Sequence, residues 1–256
     1  MSFVHHLLPA GAVLLAWFAS TGLVVWLVHR PRATWGSAMA WTSAAAMVGV
    51  GVIAATRHDD GAASAYAAAA GALAIWAWQE FAFLTGAAAG PRRCAADQGL
   101  TGLRRFTQAA SALMWHELAL AGLLALLVAL SWNMPNATGA AVFGLLFGLR
   151  LAAKLAIFGG VPNLTDELLP AQLHYLRSYY GPRRVSATLV SALILSAVVT
   201  IALGGLALAG AGQAAVGPSL LFALAALGLL ELLFLAIPVR DGALWRWARP
   251  AAGIGG

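Results

Sequence analysis

Leu7–Arg32, LLPAGAVLLAWFASTGLVVWLVHRPR, is a long run of apolar and small residues that ends abruptly at the basic break His29-Arg-Pro-Arg32. A bilayer core of about 30 Å needs about 20 residues at 1.5 Å rise per residue, and Leu7–Val28 supplies them without one Asp, Glu, Lys or Arg. The run has no basic stretch before it and is too long for the core of a signal peptide. It reads as an uncleaved first span.

The same alternation continues through the chain. The pattern predicts spans at about 7–28, 37–56, 65–87, 106–132, 137–160, 185–211 and 214–239. The breaks are Arg57-His-Asp-Asp-Gly61, the long connection from Gly90-Pro-Arg-Arg to Arg105, the turn Asn133-Met-Pro-Asn136, the stretch 161–184, and the small residues Ala209–Pro218. Of the 256 residues, 61% are hydrophobic and 9% charged. A soluble domain needs about 25% charged residues to dress its surface, so most helix surface here faces lipid or other helices. The expected fold is an all-α polytopic membrane protein in a single helical domain, 1–256.

The net charge of +6 sits in short loops, which makes it an orientation signal rather than a nucleic-acid patch. Arg30, Arg32, Arg92, Arg93, Arg104, Arg105, Arg177, Arg183, Arg184, Arg240, Arg246 and Arg249 fall on one side of a seven-span arrangement. Arg57, offset by Asp59 and Asp60, falls on the other. This alternation predicts a periplasmic N-terminus and a cytoplasmic C-terminus, and six or eight spans would break it. Trp35, Trp132, Trp245 and Trp247 lie near span ends, as indoles at the headgroup layer do, and the last two suggest a short surface-lying tail. Abundant Ala and Gly inside the spans permit close backbone approach, or reflect ordinary membrane packing.

Ionisable residues inside a bilayer cost about 2.5–3.5 kcal/mol each, so every one needs a reason. They are Glu80, His116, Glu117, Arg150, Lys154 and Glu231. At 1.5 Å per residue Glu80 lies about 10 Å from the cytoplasmic end of its helix, Glu231 about 12 Å, Glu117 and Arg150 about 15 Å, and Lys154 about 9 Å. Four helices thus place charges in one layer of the cytoplasmic half. Arg150 and Lys154, at i and i+4, project from one helix face and call for acids opposite. Two readings stay open: an interhelical ion network that fixes packing, with Lys154 snorkelling, or a polar pocket for a headgroup, pigment or proton-coupled substrate.

A metal reading would draw on Glu80, His116, Glu117, Glu167 and His174, but the Glu-x-x-His pair of di-metal bundles is missing and two cations share the layer. The expectation is no metal. His116 could ligate a chlorin magnesium or haem iron, or be a hydrogen-bonded core histidine. In 161–184, Asn163 can N-cap a helix with Asp166 at its third position. Leu164, Leu168, Leu169, Leu173, Leu176 and Tyr180 then recur at near-helical spacing, with Glu167, Gln172 and Arg177 polar. This predicts an amphipathic helix at the cytoplasmic surface, bent or restarted at Pro170, as an interfacial tether or a lid over the polar layer. Cys94 is the only cysteine, so neither an internal disulfide nor a Cys-rich metal site can form. There is no Walker loop, Gly-x-Ser-x-Gly elbow or His-Glu-x-x-His, and no catalytic residue is assigned.

Three blocks together resemble the PuhE family, the photosynthetic-complex assembly proteins encoded beside the reaction-centre H subunit in purple bacteria. They are Gln79-Glu80…Leu84-Thr-Gly86…Gly90-Pro-Arg92; Arg104-Arg-Phe-x-x-Ala109 with Trp115-His-Glu-Leu-Ala-Leu120; and Arg150-x-x-x-Lys154-Leu-x-x-Phe-x-Gly-Val-Pro-Asn163, continuing through Glu167-x-Leu-Pro170 and Tyr175-Leu-x-Ser-Tyr179. The resemblance runs from about 76 to 190. Two positions depart from the family pattern: Ala156 stands where Asn commonly follows Lys-Leu, and Gln172 where His is common. Both departures argue against a fixed metal or pigment ligand there. The resemblance implies an inner (intracytoplasmic) membrane factor for reaction-centre formation and bacteriochlorophyll supply. Its implied partners are membrane lipids and reaction-centre or light-harvesting subunits, with no nucleic acid, and its implied ligands are bacteriochlorophyll or carotenoid. A membrane enzyme acting on a tetrapyrrole, carotenoid or quinone and a small proton-coupled transporter are the alternatives.

Overall fold

The computed structural model describes residues 2–164 and 169–237. Among these, seven helices are long and apolar enough to cross a membrane, and there is no strand. The helices are α1 (Leu8–Val28), α2 (Trp35–Thr56), α3 (Ala62–Leu84), α4 (Gly102–Ser131), α5 (Thr138–Gly159), α6 (Ala187–Ala209) and α7 (Val216–Ala236). The seven-helix, all-α expectation holds.

Several boundaries differ from the hydropathy reading. A π-helical turn over Phe3–Leu7 precedes α1, with the Ser2 hydroxyl accepting from His5 N at 3.2 Å. α4 starts at Gly102 and has 30 residues, about 45 Å at helical rise, against a hydrocarbon core of about 30 Å. The excess is the polar first turns, Leu103–Gln108, so Arg104 and Arg105 ride on helix rather than loop. Apolar windows mark only the lipid-crossing part of such a helix.

Hydrogen bonds between connections sort the bundle into two ends. Asn136 Nδ2 donates to Thr56 O at 3.2 Å and Asn136 N to Arg57 O at 3.1 Å. Ala62 N donates to Gln213 Oε1 at 3.3 Å, and His6 Nε2 lies 3.2 Å from Ala207 O. The N-terminus and the second, fourth and sixth connections therefore share one end. At the other, Ala96 N donates to Ser178 Oγ at 2.8 Å, and Asn163 Nδ2 to Phe234 O at 2.8 Å, near the end of α7. This second end carries Arg30, Arg32, Arg92, Arg93, Arg104, Arg105, Arg177, Arg183 and Arg184, and is called the basic end below.

α3 lies at the centre, with Ala72, Ile75 and Phe81 fully enclosed and Ala68 nearly so. It meets α2 where Gly49 and Gly71 face each other. A Cβ on Gly49 would sit 2.6 Å from Gly71 O, so the backbones touch directly. α5 and α7 close the core around Phe143, Leu220 and Leu224, and Phe143 stacks edge-on against Trp76 at 5.5 Å.

The amphipathic segment folds differently from the expected α-helix. Ala171–Tyr179 is a 3₁₀ helix beginning after Pro170. With three residues per turn, Leu173, Leu176 and Tyr179 stack on one face and are buried against Phe83, Ala89 and Ala112. The buried tyrosine is thus Tyr179 rather than Tyr180, because the period is 3.0 and not 3.6. Asn163 donates to Phe234 O, and the helix expected after it falls on 165–168, outside the described residues, as do Glu167 and the tail with Trp245 and Trp247.

Candidate functional site

The intramembrane charges do not meet in one cluster. Lys154 Nζ on α5 donates to Glu117 Oε1 on α4 at 2.6 Å. Arg150, one turn earlier on α5, approaches Glu80 on α3 at 3.9 Å, too far for a hydrogen bond. Glu231 on α7 accepts from Trp17 Nε1 on α1 at 3.0 Å. The i and i+4 spacing on α5 therefore sends two cations to acids on two different helices.

Between α3, α4 and α5, at the basic end, lies a chamber of about 290 Å³. Its polar wall is Glu80, His116, Arg150 and Lys154. Its apolar walls come from Phe83 and Leu84 of α3, Ala109 and Leu113 of α4, and Ala153, Ile157 and Phe158 of α5. Leu176 and Tyr179 of the 3₁₀ helix, with Leu169 and Tyr180 flanking it, complete it, so that segment is a lid in geometry. Ala109, Leu113, Ile157 and Phe158 are each partly exposed, so the chamber is not sealed.

His116 is fully enclosed, yet neither ring nitrogen has a hydrogen-bond partner among the described residues. Its ring stacks on Phe83 with centroids 4.6 Å apart. Of the two readings that the sequence left open for His116, the hydrogen-bonded core histidine lacks a partner among the described residues. Buried polar groups without partners are uncommon, because each forfeits its hydration. Glu117 Oε2 is likewise buried and unpartnered among the described residues.

Arg105 ties the lid down. Its guanidinium donates to Phe158 O at 3.2 Å, Tyr179 O at 2.8 Å and Tyr180 O at 3.2 Å, and stacks on the Phe158 ring at 4.1 Å. Gln172 Nε2 donates to Leu84 O at 2.5 Å, fixing the lid to the end of α3. Gly160, at φ +122°, turns the chain out of α5 with Pro182 O packed against it, and Gly181 N donates to Ile157 O at 2.8 Å. The third connection clamps the lid's outer side: Arg92 Nε donates to Tyr179 Oη at 2.8 Å, and Tyr179 Oη to Cys94 O at 3.0 Å. The hydrogen bonds that Arg92 donates to Tyr179 and Asp97 push its pKa further up, and bonds from Gln108 and Arg92 hold the Asp97 carboxyl below its usual range.

Of the residues singled out from sequence, Glu80, His116, Arg150 and Lys154 border the chamber, and Glu117 joins it through Lys154. Glu231 stands on the far side of Arg150, beside a cavity of about 40 Å³ with Ser20 and Thr21. His174 is exposed, its Nε2 3.1 Å from Leu169 O, and Asn163 braces α7. Among the described residues no three His, Cys, Asp or Glu side chains converge as a metal site requires. Sequence reasoning does not single out Trp17 or Phe83. Arg105 and Tyr179 stand in the Arg104-Arg-Phe and Tyr175-Leu-x-Ser-Tyr179 blocks, which carry the resemblance but give neither residue a place at the lid.

No solved structure matches the chain. Residues 3–253 match a family described as "Protein of unknown function (DUF3623)". A protein of Rhodobacter capsulatus, described as an uncharacterized 30.4 kDa protein in the puhA 5′ region, is 32% identical over 250 residues, covering 95% of this chain and 91% of the relative. Matched over nearly its whole length by the family and by this relative, the chain belongs to the DUF3623 family.

Proposed function

We propose that this protein is an inner-membrane factor for assembly of the bacterial photosynthetic apparatus, that its basic end faces the cytoplasm, and that the lidded chamber is its working site. The observation that carries the reading is His116: an enclosed imidazole, bordering the chamber, with both nitrogens unpartnered among the described residues. A group left unsatisfied at such cost is a mark of a site that something else completes. The cytoplasmic orientation follows from the basic residues gathered at that end.

The assembly role draws on two further supports. The Rhodobacter capsulatus relative is described by its position 5′ of puhA. The residues that carry the resemblance to the PuhE family include those around the chamber: Glu80, His116, Lys154 and Tyr179. The partners are a nascent reaction-centre or light-harvesting subunit, or a pigment delivered to one. An engineered cavity of about 150 Å³ holds one benzene, so 290 Å³ takes a substituted ring or an end group, not a whole tetrapyrrole. Bacteriochlorophyll or carotenoid would enter by a tail or a terminal ring.

Leu113→Trp, which fills the chamber from α4, tests the reading. In a purple bacterium carrying only this variant, near-infrared absorbance of assembled complexes is expected to fall several-fold at unchanged levels of the variant protein. Normal absorbance at normal level would overturn the reading.

A further inference from the structure

The chemistry of the chamber wall narrows what completes it. Glu80 and Glu117 balance Arg150 and Lys154, so the wall is formally neutral. A carboxylate or phosphate would add an uncompensated charge in a low-dielectric setting, as would a second cation. The donor hydrogens nevertheless outnumber the acceptors beside them, which are the Glu80 carboxylate, Glu117 Oε2 and one His116 nitrogen. The Arg150 guanidinium makes no hydrogen bond among the described residues, its nearest acid being 3.9 Å away. Lys154 uses one of its three protons on Glu117, and His116 has one N–H to give. A neutral group rich in acceptor oxygens fits such a wall.

The remaining walls are apolar and partly flat. Phe83 stacks on the His116 ring with centroids 4.6 Å apart, and Leu113, Ile157 and Tyr179 also line the space. The volume, about twice that of a benzene-holding cavity, suits one or two fused rings. The partly exposed Ala109, Leu113, Ile157 and Phe158 give an attached hydrocarbon tail a way out between α4 and α5.

We infer that the chamber binds a neutral, carbonyl-bearing ring lipid of the quinone class, with its oxygens on Arg150, Lys154 and His116. The inference rests on the chamber being the working site and adds the chemical class of its ligand. Binding alone is claimed, with no electron transfer.

Menadione is a two-ring quinone of suitable size. Its binding to the full chain in lipid nanodiscs, measured by spin-column retention, is expected to saturate near one per protein. His116→Leu should weaken binding about tenfold, the effect of losing one hydrogen bond, and the carbonyl-free analogue 2-methylnaphthalene, which loses all of them, should bind more weakly still. Leu113→Trp should abolish it, which guards against a misfolded His116→Leu. Equal binding of 2-methylnaphthalene, tighter competing binding of laurate, or no saturable binding of menadione would overturn the ligand class. If Leu113→Trp still blocks complex assembly, those results overturn the ligand class alone. Menadione binding combined with normal assembly in Leu113→Trp overturns the assembly reading alone.

Discussion

At the end of the bundle that holds the N-terminus, helices meet through backbone: Gly49 lies on Gly71, and a Cβ on Gly139 would strike Ile53 at 2.8 Å. Its connections are tight and tied to one another by Asn136 and Gln213. At the basic end the helices meet through long polar side chains, a 3₁₀ lid and a chamber of about 290 Å³. The contrast separates scaffold from site. Small residues bring three helices close enough to hold α3 rigid over its first half. α3, α4 and α5 then leave room between them where their bulky and charged residues begin, at Trp76, Glu80 and Phe83 on α3.

The comparison breaks most readily at the Lys154–Glu117 pair. Lys154→Met leaves a largely buried carboxylate without its cation, and stability in detergent should fall by about 3–5 kcal/mol. Adding Glu117→Leu should restore most of it, since an apolar pair of similar volume costs little. If Lys154→Met alone were neutral in an unfolding titration, the pair would be solvated, and the basic end would be no drier than an ordinary surface.

The opposite end should fail by a different route. Gly49→Val forces a branched side chain into Gly71 O, and separating α2 from α3 should cost about 2 kcal/mol. No second substitution at Gly71 can rescue it, because that glycine faces the same obstruction from Gly49 O. The test is the same unfolding titration, with Gly51→Val, which has open space, as the control expected to change little.

Legibility in the sequence divides along the same line. The spans were readable because lipid forces length and apolarity on each helix. The two-ended distribution of arginines was readable because loops alternate. Glu80, Glu117, Arg150 and Lys154 were found because a charge in a bilayer is conspicuous wherever it lies. Their pairing was not readable: three acids could face two cations, and only packing decides that Glu231 goes to Trp17 instead. Phe83 could not be found, since an aromatic residue facing a chamber looks like one facing lipid, and Tyr179 is marked only by its place in the Tyr175-Leu-x-Ser-Tyr179 block. The lid's period misled for a physical reason: Leu173, Leu176 and Tyr179 fit 3.0 residues per turn, while the nearby leucines also fit 3.6.

Arg105 sharpens the distinction between a lid and a structural helix. Arg105→Ala removes every bond from α4 to the carbonyls of Tyr179 and Tyr180. Local opening of 171–180 should become easier by about 1.5 kcal/mol, read as faster amide exchange there, with exchange in α2 and α3 unchanged. Uniformly faster exchange would mean that the lid unfolds only with the bundle and cannot act as a separate element.

The smallest effect concerns the clamp outside the lid, where Asp97 accepts from Arg92 at 2.6 Å and from Gln108 at 2.6 Å. Its carboxyl is held below the ordinary value of 3.8, chiefly by the Gln108 bond and then by Arg92. A lowered folded pKa means that the clamp contributes in full above the ordinary value and is lost as pH falls through the lowered one. The site is solvent-exposed, so the effect should be confined to the loop. Cys94 is exposed, is the only cysteine, and lies in that loop, so a spin label there reports its motion without any engineered residue. Label mobility should be flat from neutral pH down to about 4 and rise below it, with the midpoint under 3.8. Asp97→Asn should remove that pH dependence. A midpoint above 3.8 would mean that the carboxylate is not stabilised by its partners, and the third connection would then rest on the lid without clamping it.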